Sequence, residues 1–387
     1  MMRVGFLFNH DQIHQIRHSL PIALALSRQH NSIQAVIAVS SDLIAAEVRR
    51  LASELGSATL ELVQLGLKSG PARVVGRALR GVAPIEKVLL YRDNLDFFRS
   101  LDALVVTERT SLMLKTQYGL TDLPMFLSDH GAGDRAVGFG ATARRFDHIL
   151  AAGPKIRDRM VRDAGVDPDR ISVTGYPKFD LGPAPAFELP RDWAGRPTVL
   201  YNPHVSPHLS SWYREGRAIL EHFYNAPDYN LIFAPHIMLF HRKVVVSIDR
   251  PGPAVPGSIA AKYRQAPNIL IDTGSRRSVD MSYTRAADIY LGDASSQVYE
   301  FIRQPRPCVF VNPRGLPWRG DANFNHWRAG PVIEAAEELD EALERAVADH
   351  GALYGPIQRE LVDYTFDLRP EPAAQRAARC ISTLLAA

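Results

Sequence analysis

The sequence has few cysteines, no long hydrophobic run and no strong excess of charge of either sign. Two cysteines in 387 residues exclude a disulfide framework and the usual structural zinc sites. No segment reaches the roughly 20 apolar residues of a membrane-spanning helix, and the apolar run at residues 4–8 is too short for a signal peptide. A formal net charge of +3 does not by itself indicate nucleic acid. We therefore expect a cytoplasmic protein.

A strand–helix–strand pattern repeats along the chain. Residues 4–8 and 35–39 are short apolar runs that predict strands, and residues 13–29 between them predict a helix. Such a unit forms a parallel sheet. The dinucleotide-binding fingerprint of three spaced glycines is missing after the first strand. The pattern predicts an α/β fold.

The chain is long enough for two domains, and its composition changes near the middle. Proline and glycine are frequent at residues 183–197, which is typical of a linker. The strand pattern starts again at residue 198. We therefore predict an N-terminal Rossmann-like domain at residues 1–182 and a second one at residues 198–365.

The stretch at residues 289–302 predicts an anion site. It begins as a strand, turns at Gly-Asp, and is predicted to open a helix at Ala-Ser-Ser. Free N–H groups and the positive end of a helix dipole attract anions, and Ser295 and Ser296 add hydroxyl donors. Glu300 lies one turn further on, where a carboxylate can bind a sugar hydroxyl. The alternative is that Asp293 or Ser295 simply caps the helix.

Histidines follow the predicted strands in both halves of the chain, where ligands of open α/β sheets bind. His130 stands beside Asp129 in an Asp-His-Gly-x-Gly turn, and such a carboxylate can orient an imidazole that acts as a base. Each histidine could instead be an ordinary loop or turn residue. The histidines at strand ends are His10, with His14 close by, His130, His204 and His236.

A basic stretch alternates with apolar residues in the first half of the chain. Arg73, Arg77 and Arg80 recur at a spacing that suits one face of a helix. The stretch is either a solvated helix face or a surface that docks on an anionic membrane or polymer. In the second case it would place the protein at the inner face of the cytoplasmic membrane.

Five motifs in this order resemble the CDP-glycerol glycerophosphotransferases of teichoic acid synthesis. They are the Asp-His-Gly at residues 129–131 and the segments 175–180, 199–204, 233–236 and 292–296. The resemblance covers roughly residues 120–385. It implies the GT-B fold, with two domains facing a cleft and a terminal helix at residues 366–387 packing back on the first domain. It also implies transfer of a phosphoglycerol-type group from a CDP-activated donor to an acceptor hydroxyl of an envelope glycan or lipid.

The resemblance also implies roles for single residues. His130 would be the general base beside Asp129, and His236 would contact the donor phosphates. No cofactor and no resident metal are implied, although Mg²⁺ bridging the donor phosphates remains open. The donor pyrophosphate would be bound by Ser295, Ser296, Asp293 and Lys178, and the ribose or nucleotide by Glu300, Pro235 and His204.

The chain departs from the family where the acceptor would bind. Ala132-Gly133-Asp134 follows the His-Gly pair in place of a hydroxyl residue and a lysine, and Lys178 stands in place of an arginine. The acceptor could be a lipid, a glycan end or a small alcohol. The alternatives are a GT-B sugar transferase or epimerase that uses a UDP- or CDP-sugar, and a nucleotide-binding protein of envelope assembly without catalysis.

Overall fold

The computed structural model describes residues 1–10, 12–56, 60–68, 83–182, 187–241, 243–246 and 252–386. Contacts divide the chain into two compact units. The first unit comprises Met1–His130, Phe139–Gly182 and Thr365–Ala387, and the second comprises Gly131–Gly138 and Pro183–Tyr364. Among the helices described, none is both long and apolar enough to cross a membrane.

The first unit is built on a parallel sheet of seven strands. The strand order is β3-β2-β1-β4-β5-β6-β7, so the chain reverses its direction of progress across the sheet between β1 and β4. Phe6 pairs with Ile37 on one side and with Val105 on the other. The strands are β1 (Met2–Phe8), β2 (Ile33–Val39), β3 (Glu61–Gln64), β4 (Ala103–Val106), β5 (Met125–Ser128), β6 (His148–Ala151) and β7 (Ile171–Val173).

Both faces of this sheet are buried at its inner strands, which explains why β1, β2 and β4 are largely continuous apolar runs, whereas the edge strand β3 is partly exposed. Phe6 and Ile37 pack in one core cluster, while Leu7 and Val36 pack in another on the opposite face. The α-helices in the described part of the unit are α1 (Ile16–Gln29), α2 (Asp42–Glu54), α3 (Ala83–Asp93), α4 (Leu95–Arg99), α5 (Met113–Thr116), α6 (Pro154–Arg162) and, at the end of the chain, α13 (Ala373–Ala386).

The last helix of the chain, α13, packs against α1 in the first unit. Ala377, Ala378 and Ile381 join the core cluster that contains Phe6. The return of the chain is fixed at Gly153, where an added Cβ would lie only 2.3 Å from the carbonyl oxygen of Thr365. The terminal segment is therefore an integral part of the first unit.

The second unit contains a parallel sheet in the order β12-β9-β8-β13-β14-β15 and a small antiparallel pair, β10 with β11. The strands are β8 (Thr198–Asn202), β9 (Asn230–Phe233), β10 (Val245–Val246), β11 (Pro253–Ala254), β12 (Ile269–Ile271), β13 (Ile289–Gly292), β14 (Cys308–Val311) and β15 (Val332–Ile333). The α-helices are α7 (Gly216–Asn225), α8 (Ala261–Gln265), α9 (Ser282–Ala286), α10 (Gln297–Phe301), α11 (Leu339–Ala348) and α12 (Gly355–Thr365).

Two observations differ from the expected domain boundaries. Residues 131–138 belong to the second unit, although the sequence pattern placed them in a domain running from 1 to 182. Residues 187–197 of the expected linker are also part of the second unit. Trp193 there is buried, and its Nε1 donates to the carbonyl oxygen of Pro267 at 2.7 Å. A buried indole anchors this segment despite its linker-like composition.

Candidate functional sites on the two units

In the second unit, three loops meet at the carboxyl edge of the sheet. They follow β9, β8 and β13, which are neighbours in the strand order. The first two loops carry Pro235-His236 and Pro203-His204, and the third carries residues 293–296. Since ligands of parallel sheets bind at this edge, the predicted nucleotide-binding residues of the second half lie where such a site is expected.

The two Pro-His turns fix the same histidine tautomer. His204 Nδ1 accepts a hydrogen bond from the backbone N–H of Ser206 at 2.9 Å. His236 Nδ1 accepts from the backbone N–H of Met238 at 3.3 Å. A neutral imidazole whose Nδ1 accepts carries its proton on Nε2. The turns therefore give two Nε2–H donors on rings whose centroids are 5.4 Å apart.

Arg135 adds a guanidinium to this pair of histidines. Its Nη1 lies 3.0 Å from His204 Nε2. Burial holds the pKa of His204 well below its usual range, and the positive charge of Arg135 acts in the same direction. Both nitrogens of His204 therefore face N–H groups, and a neutral imidazole can accept at only one of them. With Nδ1 accepting from Ser206, the Nε2–H and Nη1–H groups face each other, so one acceptor between them, such as a phosphate oxygen, would satisfy both. Arg135 was not predicted from the sequence as a residue of this site, because it lies far from β8 in the chain.

Asp293 is fully buried and organises the loops of this edge. Its carboxylate accepts from the backbone N–H of His204 at 2.9 Å, from Ala294 N–H at 2.6 Å, and from both N–H and Oγ–H of Ser211 at 2.6 and 2.8 Å. Burial raises the pKa of Asp293, although these hydrogen bonds oppose the change. The contacts of Asp293 are those of a residue that holds the His204 loop in place.

The predicted start of the helix after β13 is wrong by three residues. Helix α10 begins at Gln297 and is only five residues long, so its dipole is smaller than the sequence suggested. Ser295 is buried, and its Oγ accepts from the N–H of Gln297 at 3.3 Å. Ser296 and Glu300 are half-buried, and Pro235 is buried.

A buried network fixes residues 131–138 to the second unit. Asp134 accepts from Tyr299 Oη–H at 2.7 Å and from the backbone N–H of His326 at 2.9 Å. His326 Nδ1 is 2.9 Å from the same carboxylate, and His326 Nε2 donates to the carbonyl oxygen of Asp293 at 2.8 Å. His326 Nε2 carries one proton, and a second proton lies in the contact between His326 Nδ1 and the Asp134 carboxylate. No local sequence pattern indicates this pair, whose members are 192 residues apart.

Two glycines complete the attachment of this segment. Gly131 has a φ of +89°, and an added Cβ would lie 2.9 Å from Ser296 Oγ. At Gly133 an added Cβ would be 3.1 Å from Ser296 Cβ. Both glycines therefore allow the backbone to approach the serine turn closely.

In the first unit, His130 has the tautomer that a general base requires. Its Nδ1 lies 2.7 Å from the carbonyl oxygen of Thr107, which can only accept a hydrogen bond. The proton is therefore on Nδ1 and the lone pair on Nε2. Asp129 is the more distant neighbour, with Oδ1 3.9 Å from Nδ1, and its Oδ2 pairs with Arg109 at 3.0 Å.

His130 belongs to a cluster of four histidines in the first unit. The ring centroids of His10, His14 and His130 are 5.5–5.9 Å apart, and that of His18 is 6.5 Å from His130. Sequence reasoning found three of these residues and missed His18. The spacing of four residues between His14 and His18 was the available signal.

Lys178 also lies in the first unit, not with the serine turn. It is buried, and its charge lowers the pKa of His18, after the larger effect of burial. The predicted pyrophosphate-binding residues are therefore divided between the two units. Arg73, Arg77 and Arg80 lie outside the described residues. Within the described ranges, no group of three or more His, Cys, Asp or Glu side chains is arranged to hold a metal ion.

The chain is similar in fold to solved structures of enzymes, some of which contain a nucleotide ligand. No family model and no curated protein matches the sequence. A UDP-GlcNAc 2-epimerase from Neisseria meningitidis, bound to UDP-GlcNAc, aligns with 100% of both chains at 12% identity and a TM-score of 0.60. The S. aureus protein MnaA, solved with UDP, aligns with 100% of this chain and 97% of its own at 13% identity and a TM-score of 0.59.

The wall teichoic acid polymerase TagF shows a comparable likeness. It aligns with 99% of this chain and 89% of its own at 12% identity, with a TM-score of 0.57. A TagF variant soaked with CDPG gives 14% identity and a TM-score of 0.60, over 99% of this chain and 88% of its own. These likenesses, with two parallel α/β sheets, confirm the GT-B fold class that we expected.

Proposed function

We propose that this protein is a transferase that moves a phosphoglycerol-type group from a CDP-activated donor to an acceptor hydroxyl. One observation carries the proposal: the two Pro-His turns and Arg135 place three donors at the carboxyl edge of the second sheet. Pyrophosphate oxygens are charged acceptors, and bonds from such donors to them are strong. The motif order and the fold likeness to TagF support the CDP-linked donor.

Within this proposal, the second unit binds the donor. His204, His236 and Arg135 bind the pyrophosphate, with Ser295 and Ser296 at the adjacent turn. Glu300 and Pro235 contribute to binding of the nucleoside. Asp293 acts on the site indirectly, because its carboxylate is occupied by the N–H and O–H groups of the loop that carries His204.

His130 is the proposed general base. The acceptor oxygen forms a new bond to the β-phosphorus, the bond from that phosphorus to the bridging oxygen breaks, and CMP leaves with the electron pair. The hydroxyl proton passes to Nε2 of His130, whose lone pair is set by the Nδ1–Thr107 contact. General-base catalysis of this kind contributes about 10²–10⁴ in rate. The Arg135 guanidinium and the two imidazole N–H donors around the pyrophosphate stabilise the charge that develops on the leaving group.

A second candidate is an enzyme that acts on a sugar nucleotide. The likeness to the two proteins solved with UDP-GlcNAc and UDP supports it as strongly as TagF supports the first. The proposed pyrophosphate donors would serve either substrate, since both have the same diphosphate. The base and the sugar or polyol distinguish the two candidates.

Thermal unfolding with CDP-glycerol, CDP, UDP and UDP-GlcNAc tests both candidates. A nucleotide at 100 times its Kd stabilises the protein by about 2.7 kcal/mol. We expect stabilisation by the cytidine compounds, at least tenfold weaker binding in Arg135→Met, and unchanged binding in Arg345→Met, whose arginine is exposed and pairs with Glu341. Preference for UDP-GlcNAc, with its epimerisation seen by NMR, would select the second candidate. No response to any nucleotide would overturn both.

A further inference from the structure

The histidine cluster of the first unit lies at the point where the strand order of its sheet reverses. Asn9 and His10 follow β1, and Thr107 and Glu108 follow β4, the two strands that flank this point. His130 follows β5, the next strand. In open α/β sheets the loops at such a reversal separate and leave room for a ligand. The cluster therefore lies at the most favourable binding position of the first sheet.

Three buried side chains at this position each have a polar atom without a hydrogen-bond partner among the residues described. These atoms are Asn9 Oδ1, Gln15 Nε2 and His18 Nδ1. The three residues are only 5%, 2% and 6% exposed. Unpartnered buried polar atoms are rare in native proteins and need an explanation.

The opposite ends of two of these side chains are held by the protein. Asn9 Nδ2 donates to Tyr91 Oη at 2.7 Å, and Gln15 Oε1 accepts from Thr107 Oγ1. Both partners are hydroxyls, which can donate or accept, so neither contact fixes which way the amide is turned. Each amide therefore presents one unsatisfied end, either a carbonyl oxygen or an NH₂ group, and the His18 nitrogen can also donate or accept. A ligand group that both donates and accepts satisfies these atoms in every orientation.

Charge around the cluster is largely balanced. Lys87 Nζ lies 2.6 Å from Glu108 Oε2, and Arg109 lies 3.0 Å from Asp129. Arg17 lies 3.8 Å from Glu47. Burial lowers the pKa of His10 to about 4 and that of His18 well below its usual range, so both rings are uncharged at neutral pH. Lys178, buried beside His18, is a further donor that suits a hydroxyl as well as an anion.

We propose that Asn9, Gln15, His18 and the histidines around them bind a neutral polyhydroxylated ligand, such as a polyol or the end of a glycan. A hydroxyl group both donates and accepts, so it satisfies Asn9, Gln15 and His18 in either orientation of the amides. A phosphate offers mainly acceptor oxygens, so it fits only where all of these groups donate to it. The identification of this ligand as the acceptor substrate rests on the proposed function. Its binding to the first unit does not.

Saturation-transfer NMR on the full-length protein, without nucleotide, tests this site. The probes are glycerol, ribitol and N-acetylglucosamine, compared with glycerol 3-phosphate and inorganic phosphate. Gln15→Met removes the amide with little change of volume, and His18→Gln is a second variant should the first fold poorly. His350→Gln in the second unit is the matched control. Urea unfolding of each variant shows that it is folded.

We expect at least one neutral polyol or sugar to bind, with affinity at least tenfold lower in Gln15→Met or His18→Gln and unchanged in the control. Absence of polyol binding, or tighter binding of either phosphate compound, would overturn the inference. Nucleotide binding is measured on the same samples. If the protein binds a nucleotide but no polyol or sugar, this site is refuted and the proposed transferase is not. If it binds a polyol or sugar but no nucleotide, the proposed transferase is refuted and this site is not.

Discussion

Acidification should destabilise the protein through His10, because this ring is buried in its neutral form. Burial lowers its pKa from 6.5 to about 4, and the positive charge of Lys87 acts in the same direction. The hydrogen bond and the charge of Glu108 oppose this change without reversing it. In the unfolded chain the ring takes up a proton near pH 6.5. Between pH 6.5 and 4 the unfolded state therefore binds more protons than the folded state.

The size of the effect follows from the two pKa values. The whole difference corresponds to about 3 kcal/mol, of which about 2 kcal/mol is lost by pH 5. Above pH 6.5 the ring is neutral in both states and has no effect on the pH dependence. Stability should therefore fall as the pH is lowered through this range and stop changing, for this residue, below pH 4.

Urea unfolding of the wild type and of His10→Gln at pH 8 and pH 5 measures this contribution. The loss of unfolding free energy between the two pH values should be about 2 kcal/mol smaller in the variant. Ile16→Val in the adjacent helix is the control. It removes a buried methyl group and should lower stability by about 1 kcal/mol equally at both pH values. An equal pH-dependent loss in His10→Gln and the wild type would refute this argument.

Three further predictions concern other parts of the chain. Asp134→Asn should lower the free energy of unfolding by about 3 kcal/mol, since it breaks a buried pair, whereas Tyr299→Phe should lower it by about 1 kcal/mol. Gly153→Ala should destabilise by about 2 kcal/mol because its Cβ would meet backbone 2.3 Å away, while Gly140→Ala, with nothing within 4 Å, should not. The Cys308 thiol, whose pKa burial raises, should resist DTNB until the protein is unfolded in guanidinium.

Urea titrations decide the first two of these predictions. The absorbance change on reaction with DTNB, together with mass mapping, decides the third. Equal losses in Asp134→Asn and Tyr299→Phe would mean that the carboxylate and His326 do not form a coupled pair. Equal stability of the two glycine variants would contradict the close approach of Thr365. Rapid labelling of Cys308 at neutral pH would contradict its burial.

Local sequence patterns were enough to predict the two sheets. Strands such as β1 and β8 are buried on both faces and therefore appear as continuous apolar runs between turn residues. The histidines at strand ends were found for the same reason, because their positions depend only on where each strand stops. His130 and His204 illustrate this.

The residues that were missed depend on contacts between distant parts of the chain. Asp134 meets His326 across 192 positions, and Arg135 reaches His204 across 69. No periodicity or local spacing encodes such pairs.

The end of helix α10 at Phe301 agrees with Pro305 shortly after it, because proline stops a helix. The start of the helix at Gln297, three residues later than expected, does not follow from any local pattern.

The discontinuous make-up of the two units limits how this protein can be divided. A cut at the glycine–proline boundary after residue 182 yields two fragments, and neither is a complete folding unit. The N-terminal fragment lacks helix α13, which packs on α1. It also retains eight residues of the second unit, Gly131–Gly138, in which Asp134 is separated from its partner His326. Recombination that exchanges the whole second unit would therefore have to move residues 131–138 together with residues 183–364. A crossover at a single point would separate Arg135 from the histidine it contacts.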